Sequence, residues 1–139
     1  PGRVRRSRAA SMDPTSLNRI LHVEDEPDIR EVGRLALEQV GGFEVELCAT
    51  GAEALERAAG WQPDLILLDV MLPGMDGPET LHRLRQQDAT RDIPVVFMSA
   101  RVQPRELDYY RSLGVLNLVP KPFDPMTLAD QLRTIWSEA

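Results

Sequence analysis

The chain has 139 residues and a formal net charge of −6, with 42% hydrophobic and 27% charged residues. This composition indicates one globular domain rather than a disordered chain. Apolar runs such as residues 65–68 are far too short to cross a membrane, and no apolar segment of a signal peptide follows the basic start. The single cysteine, Cys48, excludes an internal disulfide and a cysteine zinc cluster. We therefore expect a cytoplasmic protein that makes no contact with a membrane.

The N-terminal residues differ from the rest because they are basic and carry no acidic side chain before Asp13. Met12, a candidate natural start, follows a run that contains Arg3, Arg5, Arg6 and Arg8. One interpretation is a nucleic-acid-binding arm. We favour a basic tail over residues 1–16 that is disordered or in part not native, because nothing apolar anchors it. Since the remainder is acidic, we expect no direct contact with nucleic acid.

Apolar runs alternate with amphipathic helical patterns five times along the chain. Residues 20–23 predict a first strand, and Pro27 opens the helix that follows it. The 3–4 residue spacing of apolar side chains predicts that the inward face of this helix holds Ile29, Val32, Ala36 and Val40.

The next two strands differ in how apolar they are. Residues 43–48 alternate enough to predict a strand near a sheet edge, and Thr50 and Glu53 have the spacing of a capping box that opens a second helix. Residues 65–68 are apolar at every position, which is typical of a strand covered on both faces of a parallel sheet. Asp69 ends this strand.

The last elements repeat the pattern. Asp76 and Glu79 predict the capped start of a third helix. Strands are predicted over residues 94–98 and 115–119, with a short helix between them. The final helix is predicted to begin at Pro125, with Asp124 as its cap. Its expected inward residues are Leu128, Leu132 and Ile135.

Five strand–helix units with short connections predict a doubly wound α/β fold. Right-handed crossovers place helices on both faces of its five-stranded parallel sheet. In the common strand order 2-1-3-4-5, strands 1 and 3 are neighbours. Ligands bind such sheets outside the carboxyl ends of the strands.

Chemically active side chains follow four of the five predicted strands at that edge. They are Glu24 and Asp25 after strand 1, Asp69 after strand 3, Ser99 after strand 4 and Lys121 after strand 5. Two carboxylates about 5 Å apart repel by roughly 3 kcal/mol at an effective dielectric constant of about 20. Such a cluster must bind protons, a cation or a lysine, and oxygen ligands without a nearby histidine suit Mg²⁺.

The same residues predict phosphoryl transfer. Lys121 is the only lysine in the chain, and its compact charge on a flexible stem differs from the planar fork of arginine. Ser99 can donate a hydrogen bond to an oxygen of an anion. Because carboxylates can form acyl phosphates, Asp69 is the candidate nucleophile. A metal, a carboxylate, a hydroxyl and an ammonium group together are typical of such a site.

The pattern resembles the receiver domain of two-component response regulators, in the single-domain form of the chemotaxis regulator. The resemblance covers roughly residues 18–137 and implies the flavodoxin-like fold with strand order 2-1-3-4-5. It is carried by four segments in order, HVEDEP (residues 22–27), DLILLD with MLPGMDG (residues 64–69 and 71–77), PVVFMSA (residues 94–100) and KPF (residues 121–123).

The resemblance implies roles for individual residues. Asp69 would be the phosphoacceptor, Ser99 the hydroxyl that moves toward the phosphoryl group, and Lys121 the ammonium group that pairs with it. The implied Mg²⁺ ligands are Asp25, Asp69 and the Met71 backbone carbonyl directly, and Glu24 through water. Two positions depart from the usual pattern, because Leu118 stands where many receivers have tyrosine or phenylalanine, and Pro120 precedes the lysine.

The resemblance also implies partners. The phosphoryl donor would be a sensor histidine kinase or a histidine phosphotransfer protein. The downstream target would be a protein bound by the face of helix 4, strand 5 and helix 5. The protein would be a monomer or a weak phosphorylation-dependent dimer, and would catalyse only its own phosphorylation and dephosphorylation.

Several alternatives remain beside this hypothesis. A flavin-binding electron carrier shares the topology, but the acidic loop after strand 1 would repel its phosphate. An aspartyl-phosphate phosphatase expects its nucleophile after strand 1 and usually a cap domain. A receiver fold used only for docking would not be phosphorylated. We expect residues 17–139 to be a stand-alone receiver, and the alternative is a fragment of a longer regulator or hybrid kinase.

The remaining reactive side chains have simpler interpretations. His22 and His82 are expected to be structural or solvated, and Cys48 to be a small buried hydrophobic residue. Of Tyr109 and Tyr110, we expect one ring packed and one exposed.

Overall fold

The computed structural model describes residues 16–139, so the predicted basic tail lies outside the described residues apart from Ser16. The described chain forms five strands, β1 Arg19–Val23, β2 Glu44–Cys48, β3 Leu65–Asp69, β4 Val95–Ser99 and β5 Asn117–Pro120. The helices between and after them are α1 Pro27–Leu35, α2 Gly51–Trp61, α3 Gly77–Gln86, α4 Pro104–Ser112 and α5 Leu128–Ser137. A π-helical turn, Ala36–Val40, extends α1. Within residues 16–139, every helix is too short or too polar to cross a bilayer.

The five strands form one parallel sheet in the order β2-β1-β3-β4-β5, as predicted. Its register aligns the strand ends: Val23 lies opposite Leu68, Asp69 opposite Met98, and Ser99 opposite Pro120. The residues that follow β1, β3, β4 and β5 are therefore collected at one edge of the sheet.

The core lies on both faces of the sheet, which explains the uninterrupted apolar runs. Every residue of β3 and β4 is buried, as expected for central strands covered by helices on each side. Alternate residues of one strand serve opposite faces, since Ile66 and Leu68 pack in one apolar cluster and Leu65 and Leu67 in the other. β2 at the sheet edge is more exposed, in agreement with its alternating sequence.

Two predicted helix caps are confirmed. The Thr50 hydroxyl accepts a hydrogen bond from the Glu53 amide at 3.1 Å, and the Glu53 carboxylate accepts one from the Ala49 amide at 2.6 Å. The Asp76 carboxylate accepts a hydrogen bond from the Glu79 amide at 2.9 Å. Both caps satisfy amide groups that lack a partner inside the first helical turn.

The predicted inward face of α1 is wrong at two positions. Val32 and Val40 are 41% and 45% exposed, whereas Gly33 and Leu37 are buried. The π-helical turn adds a residue to the repeat after Leu35 and so moves Val40 out of the apolar pattern. Val32 precedes this turn, and its neighbour Gly33 takes the inward position instead.

His22 of β1 explains why Gly33 faces inward. The imidazole is fully buried, and a Cβ atom built on Gly33 would lie 2.5 Å from its Cε1 atom. Only a residue without a side chain fits at this distance. Burial, followed by the charges of Lys121 and Arg30, lowers the pKa of His22 to about 4. His22 is therefore a neutral core residue, in line with its structural interpretation.

The C-terminal elements begin later than predicted. β5 covers Asn117–Pro120 rather than residues 115–119, and α5 begins at Leu128 rather than at Pro125. Asp124 still caps the entry, because its carboxylate accepts from the Met126 amide at 2.9 Å and its carbonyl from the Leu128 amide at 3.0 Å. A tight turn thus replaces the first predicted turn of helix.

The remaining packing agrees with the predictions. Leu128 and Leu132 are buried, and Ile135 is partly buried against the same cluster. Tyr110 is buried with its ring edge-on to Phe97 at 5.4 Å, while Tyr109 is 55% exposed. Cys48 is buried, and burial raises the pKa of its thiol to about 11.

The contact between Gly33 and His22 makes a prediction about stability. Gly33→Ala should lower the free energy of unfolding by about 1–3 kcal/mol, because the added methyl group overpacks the imidazole. Gly60→Ala is the matched control, since it also lies in a helix but has open space around its Cβ position. The control should gain up to about 1 kcal/mol from helix propensity. Urea unfolding measures both variants, and an equal gain in both would contradict the packing argument.

Candidate functional site

The predicted site residues meet at the carboxyl edge of the sheet. Glu24 and Asp69 are buried and Asp25 is half-buried, and one carboxylate oxygen from each lies within 4.8 Å of the others. Two of these acids come from the loop after β1 and one from the end of β3, which are neighbouring strands. The strand order therefore brings together three negative charges that are far apart in sequence.

Lys121 supplies the positive charge at this cluster. Its Nζ atom donates to Glu24 Oε1 at 2.9 Å and to Asp69 Oδ2 at 3.0 Å, and its side chain is only 15% exposed. At an effective dielectric constant of about 20, the Coulomb attraction in each pair is roughly 4 kcal/mol or more, and the cost of removing the charges from water offsets much of it. One ammonium group thus offsets the repulsion between the two buried carboxylates.

The pKa values at this pair follow from burial and charge. Burial raises the pKa of Glu24 above its ordinary value, and the hydrogen bonds from Lys121 and from the Glu26 amide reverse only part of this rise. Burial lowers the pKa of Lys121, but the hydrogen bonds to Glu24 and Asp69 and both negative charges outweigh that effect and raise it. The lysine therefore stays charged at neutral pH.

Asp69 is held by both of its carboxylate oxygens. Oδ1 accepts from the Met71 amide at 3.1 Å, while Oδ2 accepts from Lys121. Gly77 at the start of α3 allows the chain to pass closely behind Asp69, because a Cβ atom there would lie 2.8 Å from the Asp69 carbonyl oxygen. The carboxylate has a fixed orientation at the end of a buried strand.

Ser99 lies on the neighbouring strand and completes the set. It is buried at the end of β4, and its hydroxyl oxygen accepts from the Arg101 amide at 2.9 Å. Its carbonyl accepts from the Lys121 amide at 2.9 Å, which ties the ends of β4 and β5 together. Since an accepted hydrogen bond leaves the hydroxyl proton free, Ser99 can still donate to an anion.

The donor atoms fit a hard divalent cation. Three carboxylates gathered within a few ångströms, with no histidine or cysteine in the group, form an oxygen-only site of the kind that Mg²⁺ prefers. The single ammonium group leaves the cluster with excess negative charge, which a divalent cation would balance.

Sequence reasoning missed Arg30. Its guanidinium group donates to the backbone carbonyl of Glu24 at 2.8 Å and to that of Asp25 at 3.3 Å. Arg30 lies in the first turn of α1, so its side chain folds back over the helix start to reach the acidic loop. An arginine within a helical pattern is most simply taken as a solvated residue, and no spacing rule would have indicated this contact.

Comparison with known proteins agrees with this geometry. A family model described as the response regulator receiver domain matches residues 20–133. The chain belongs to this family and is a receiver domain of a two-component response regulator. This membership argues against the flavin carrier and the phosphatase considered above.

The curated relatives are longer than this chain. The phosphate regulon transcriptional regulatory protein PhoB of Escherichia coli is 41% identical over 119 residues, which cover 84% of this chain and 51% of PhoB. The transcriptional regulatory protein CseB of Streptomyces coelicolor is 38% identical over 116 residues, which cover 84% of this chain and 48% of CseB. The chain thus spans about half the length of the curated relatives it matches.

A solved structure of similar size matches as well. The chemotaxis protein CheY4 of Vibrio cholerae has a TM-score of 0.78 and 30% identity, covering 86% of this chain and 98% of that one. The fold predicted from the resemblance is therefore confirmed.

The buried ion pairs predict a pH-dependent effect of Lys121→Met. In the presence of a chelator, this variant should lose about 3 kcal/mol of unfolding free energy at neutral pH, because a buried carboxylate loses its partner. Because burial raises the pKa of Glu24, the loss should shrink as the pH falls through that raised value, since protonated Glu24 no longer needs a cation.

Urea unfolding at several pH values measures this effect. Arg83→Met removes an exposed partner of Glu79 and is the control, with an expected loss under about 1 kcal/mol. A Lys121→Met variant as stable as the wild type at neutral pH, or a loss that grows on acidification, would contradict the account.

Proposed function

We propose that the chain is a phosphorylation-switched receiver, and that Asp69 accepts a phosphoryl group from a phosphohistidine of a histidine kinase or a histidine phosphotransfer protein. The observation that carries the proposal is the bridge of Lys121 between Asp69 and Glu24. It holds a buried carboxylate in place at the carboxyl edge of the sheet, with its charge partner already beside it.

The proposed transfer creates an acyl phosphate. An Asp69 carboxylate oxygen attacks phosphorus, the phosphorus–nitrogen bond of the phosphohistidine breaks, and the imidazole leaves and takes up a proton. Lys121 shifts its hydrogen bond from Asp69 to a phosphoryl oxygen, and the Ser99 hydroxyl donates a hydrogen bond to another. Both contacts exist only after transfer, which is the differential interaction that a switch requires.

Asp25, Asp69 and the Met71 carbonyl are the proposed direct ligands of Mg²⁺, with Glu24 acting through water. When bound, Mg²⁺ would neutralise negative charge on the phosphoryl oxygens. This assignment is supported by the cluster of three carboxylates. No separate substrate is turned over, because the only proposed reactions are phosphorylation of Asp69 and its hydrolysis by water, which releases inorganic phosphate.

The proposed output is contact with a target protein through α4, β5 and α5. Val102 and Tyr109, just before and within α4, are exposed apolar residues that can enter such a contact. The outer edge of β5 is closed to strand addition at two points, because the Leu118 amide bonds the Asn117 side chain at 2.8 Å and Pro120 has no N–H group. The target would therefore bind through side chains.

A second candidate is the receiver of a longer regulator that carries its own output domain. It is favoured by one observation, that the matched relatives PhoB and CseB are about twice as long as the aligned region. Phosphorylation of Asp69 is the same in both candidates, and only the target differs. It would be a separate protein in one case and an attached domain in the other.

Acetyl phosphate tests the central step. The wild-type chain should gain one phosphoryl group by intact-mass spectrometry in Mg²⁺ and none in a chelator. Asp69→Asn should gain none, because the shape is kept and the nucleophile is lost. Asp76→Asn is the matched control, since asparagine also caps a helix, and it should react like the wild type.

Two outcomes would contradict the proposal. Label that persists on Asp69→Asn would place the phosphoryl group elsewhere. A folded wild-type chain that takes no label in Mg²⁺ would favour the alternative of a docking module that is not phosphorylated.

A further inference from the structure

The acidic loop after β1, residues 24–26, carries three carboxylates in a segment without regular secondary structure, and two of them, Glu24 and Asp25, belong to the cluster with Asp69. Asp25 lies in a bend between β1 and α1, and its side chain is half-buried. Repulsion from Glu24 and Asp69 favours movement of the Asp25 carboxylate away from the cluster. Something must therefore hold this loop in the arrangement that the structure has.

Two groups of the chain hold the loop. The Glu26 amide donates to Glu24 Oε2 at 3.1 Å and fixes the Glu24 side chain. The Arg30 guanidinium group donates to the carbonyls of Glu24 and Asp25 and so fixes the two successive peptide groups on either side of the Asp25 Cα atom. The main chain of Arg30 is fixed in turn, because its amide donates to the Glu26 carbonyl at 2.9 Å in the first turn of α1.

We propose that Arg30 is a positioning residue, which holds the Glu24–Asp25 peptide so that the Asp25 carboxylate stays beside Asp69 for a divalent cation. The inference rests on the proposed function, since it concerns the same metal site. Arg30 contacts neither carboxylate in this role and acts only through the main chain.

The charge and the hydrogen bonds of Arg30 have opposite effects on a cation. A positive side chain near the site repels Mg²⁺, so its removal should tighten Mg²⁺ binding if charge dominates. Its hydrogen bonds order the loop, so its removal should weaken binding if positioning dominates. We expect positioning to dominate, because the guanidinium group contacts the loop directly and its charge is partly screened by water.

The test is a titration of the full chain with Mg²⁺, in which NMR chemical shifts of the backbone amides report binding. It is carried out well below the unfolding temperature. Arg30→Gln should bind Mg²⁺ about 5- to 10-fold more weakly, the size expected for loss of one net hydrogen bond. Arg30→Lys should lie between this variant and the wild type, because lysine keeps the charge and can make only part of the contact.

Arg34→Gln is the matched control. It removes the same charge from the same helix one turn further on, where the arginine pairs with Glu31 and Glu38 rather than with the loop. Its Mg²⁺ affinity should stay within about twofold of the wild type, as screening of exposed charges implies. Unchanged or tighter binding in Arg30→Gln would overturn the proposal.

A second measurement separates this inference from the proposed function. Amide hydrogen exchange in a chelator should be faster at Glu26 in Arg30→Gln than in the wild type, and unchanged in Arg34→Gln. If the wild type fails to bind Mg²⁺, the proposed metal site is wrong. Faster exchange at Glu26 in Arg30→Gln would still show that Arg30 orders the loop. If exchange is also unchanged, Arg30 does not position the loop.

Discussion

The double hydrogen bond of Lys121 to Glu24 and Asp69 is the interaction on which the site depends. Two carboxylates are buried at the edge of an apolar sheet, where an unpaired charge would be costly. The single lysine of the chain lies between them and makes their burial possible. The half-buried Asp25 is left over, so the cluster keeps a net negative charge that attracts a cation. That excess suits a divalent cation, and a bound cation would in turn offset the repulsion between the carboxylates and a phosphoryl group.

The alignment of the strands in the sheet, rather than the local sequence, brings the site residues together. Glu24 and Lys121 are almost a hundred positions apart, and they meet because β1, β3, β4 and β5 are parallel and end at the same edge. Two rigid layers of apolar contacts keep the strand ends in place. A shift of the bond from Lys121 to a phosphoryl oxygen would therefore act on a fixed frame. We expect the response to appear in the more exposed segments after β4 and β5.

The parts of the molecule that could be predicted share a local cause. Strands β3 and β4 could be predicted because both of their faces are covered and every residue before the terminal Asp69 or Ser99 is apolar. The helix starts at Thr50 and Asp76 could be predicted because a cap is a local contact, in which a side-chain oxygen accepts a hydrogen bond from the amide three residues further along the chain. The site residues were visible because each follows a strand. The strand order itself came from resemblance to a known family.

The parts that could not be predicted depend on contacts distant in sequence or on irregular backbone. The inward face of α1 is set by the space that Gly33 leaves for His22, and an apolar pattern cannot show this. The π-helical turn at Ala36–Val40 breaks the helical period on which that prediction rested. The contact of Arg30 with two carbonyls could not be predicted, because no sequence pattern distinguishes this arginine from a solvent-exposed arginine in a helix.

The most direct measurement of the central claim uses the fact that the chain has one lysine. A sample with ¹⁵N-labelled lysine and ¹³C-labelled carboxylates gives a single ammonium signal by NMR, recorded in a chelator. The account predicts a slowly exchanging signal with through-hydrogen-bond correlations to two carboxylate carbons, those of Glu24 and Asp69. An ammonium group that exchanges rapidly with water and correlates with neither carboxylate would contradict it.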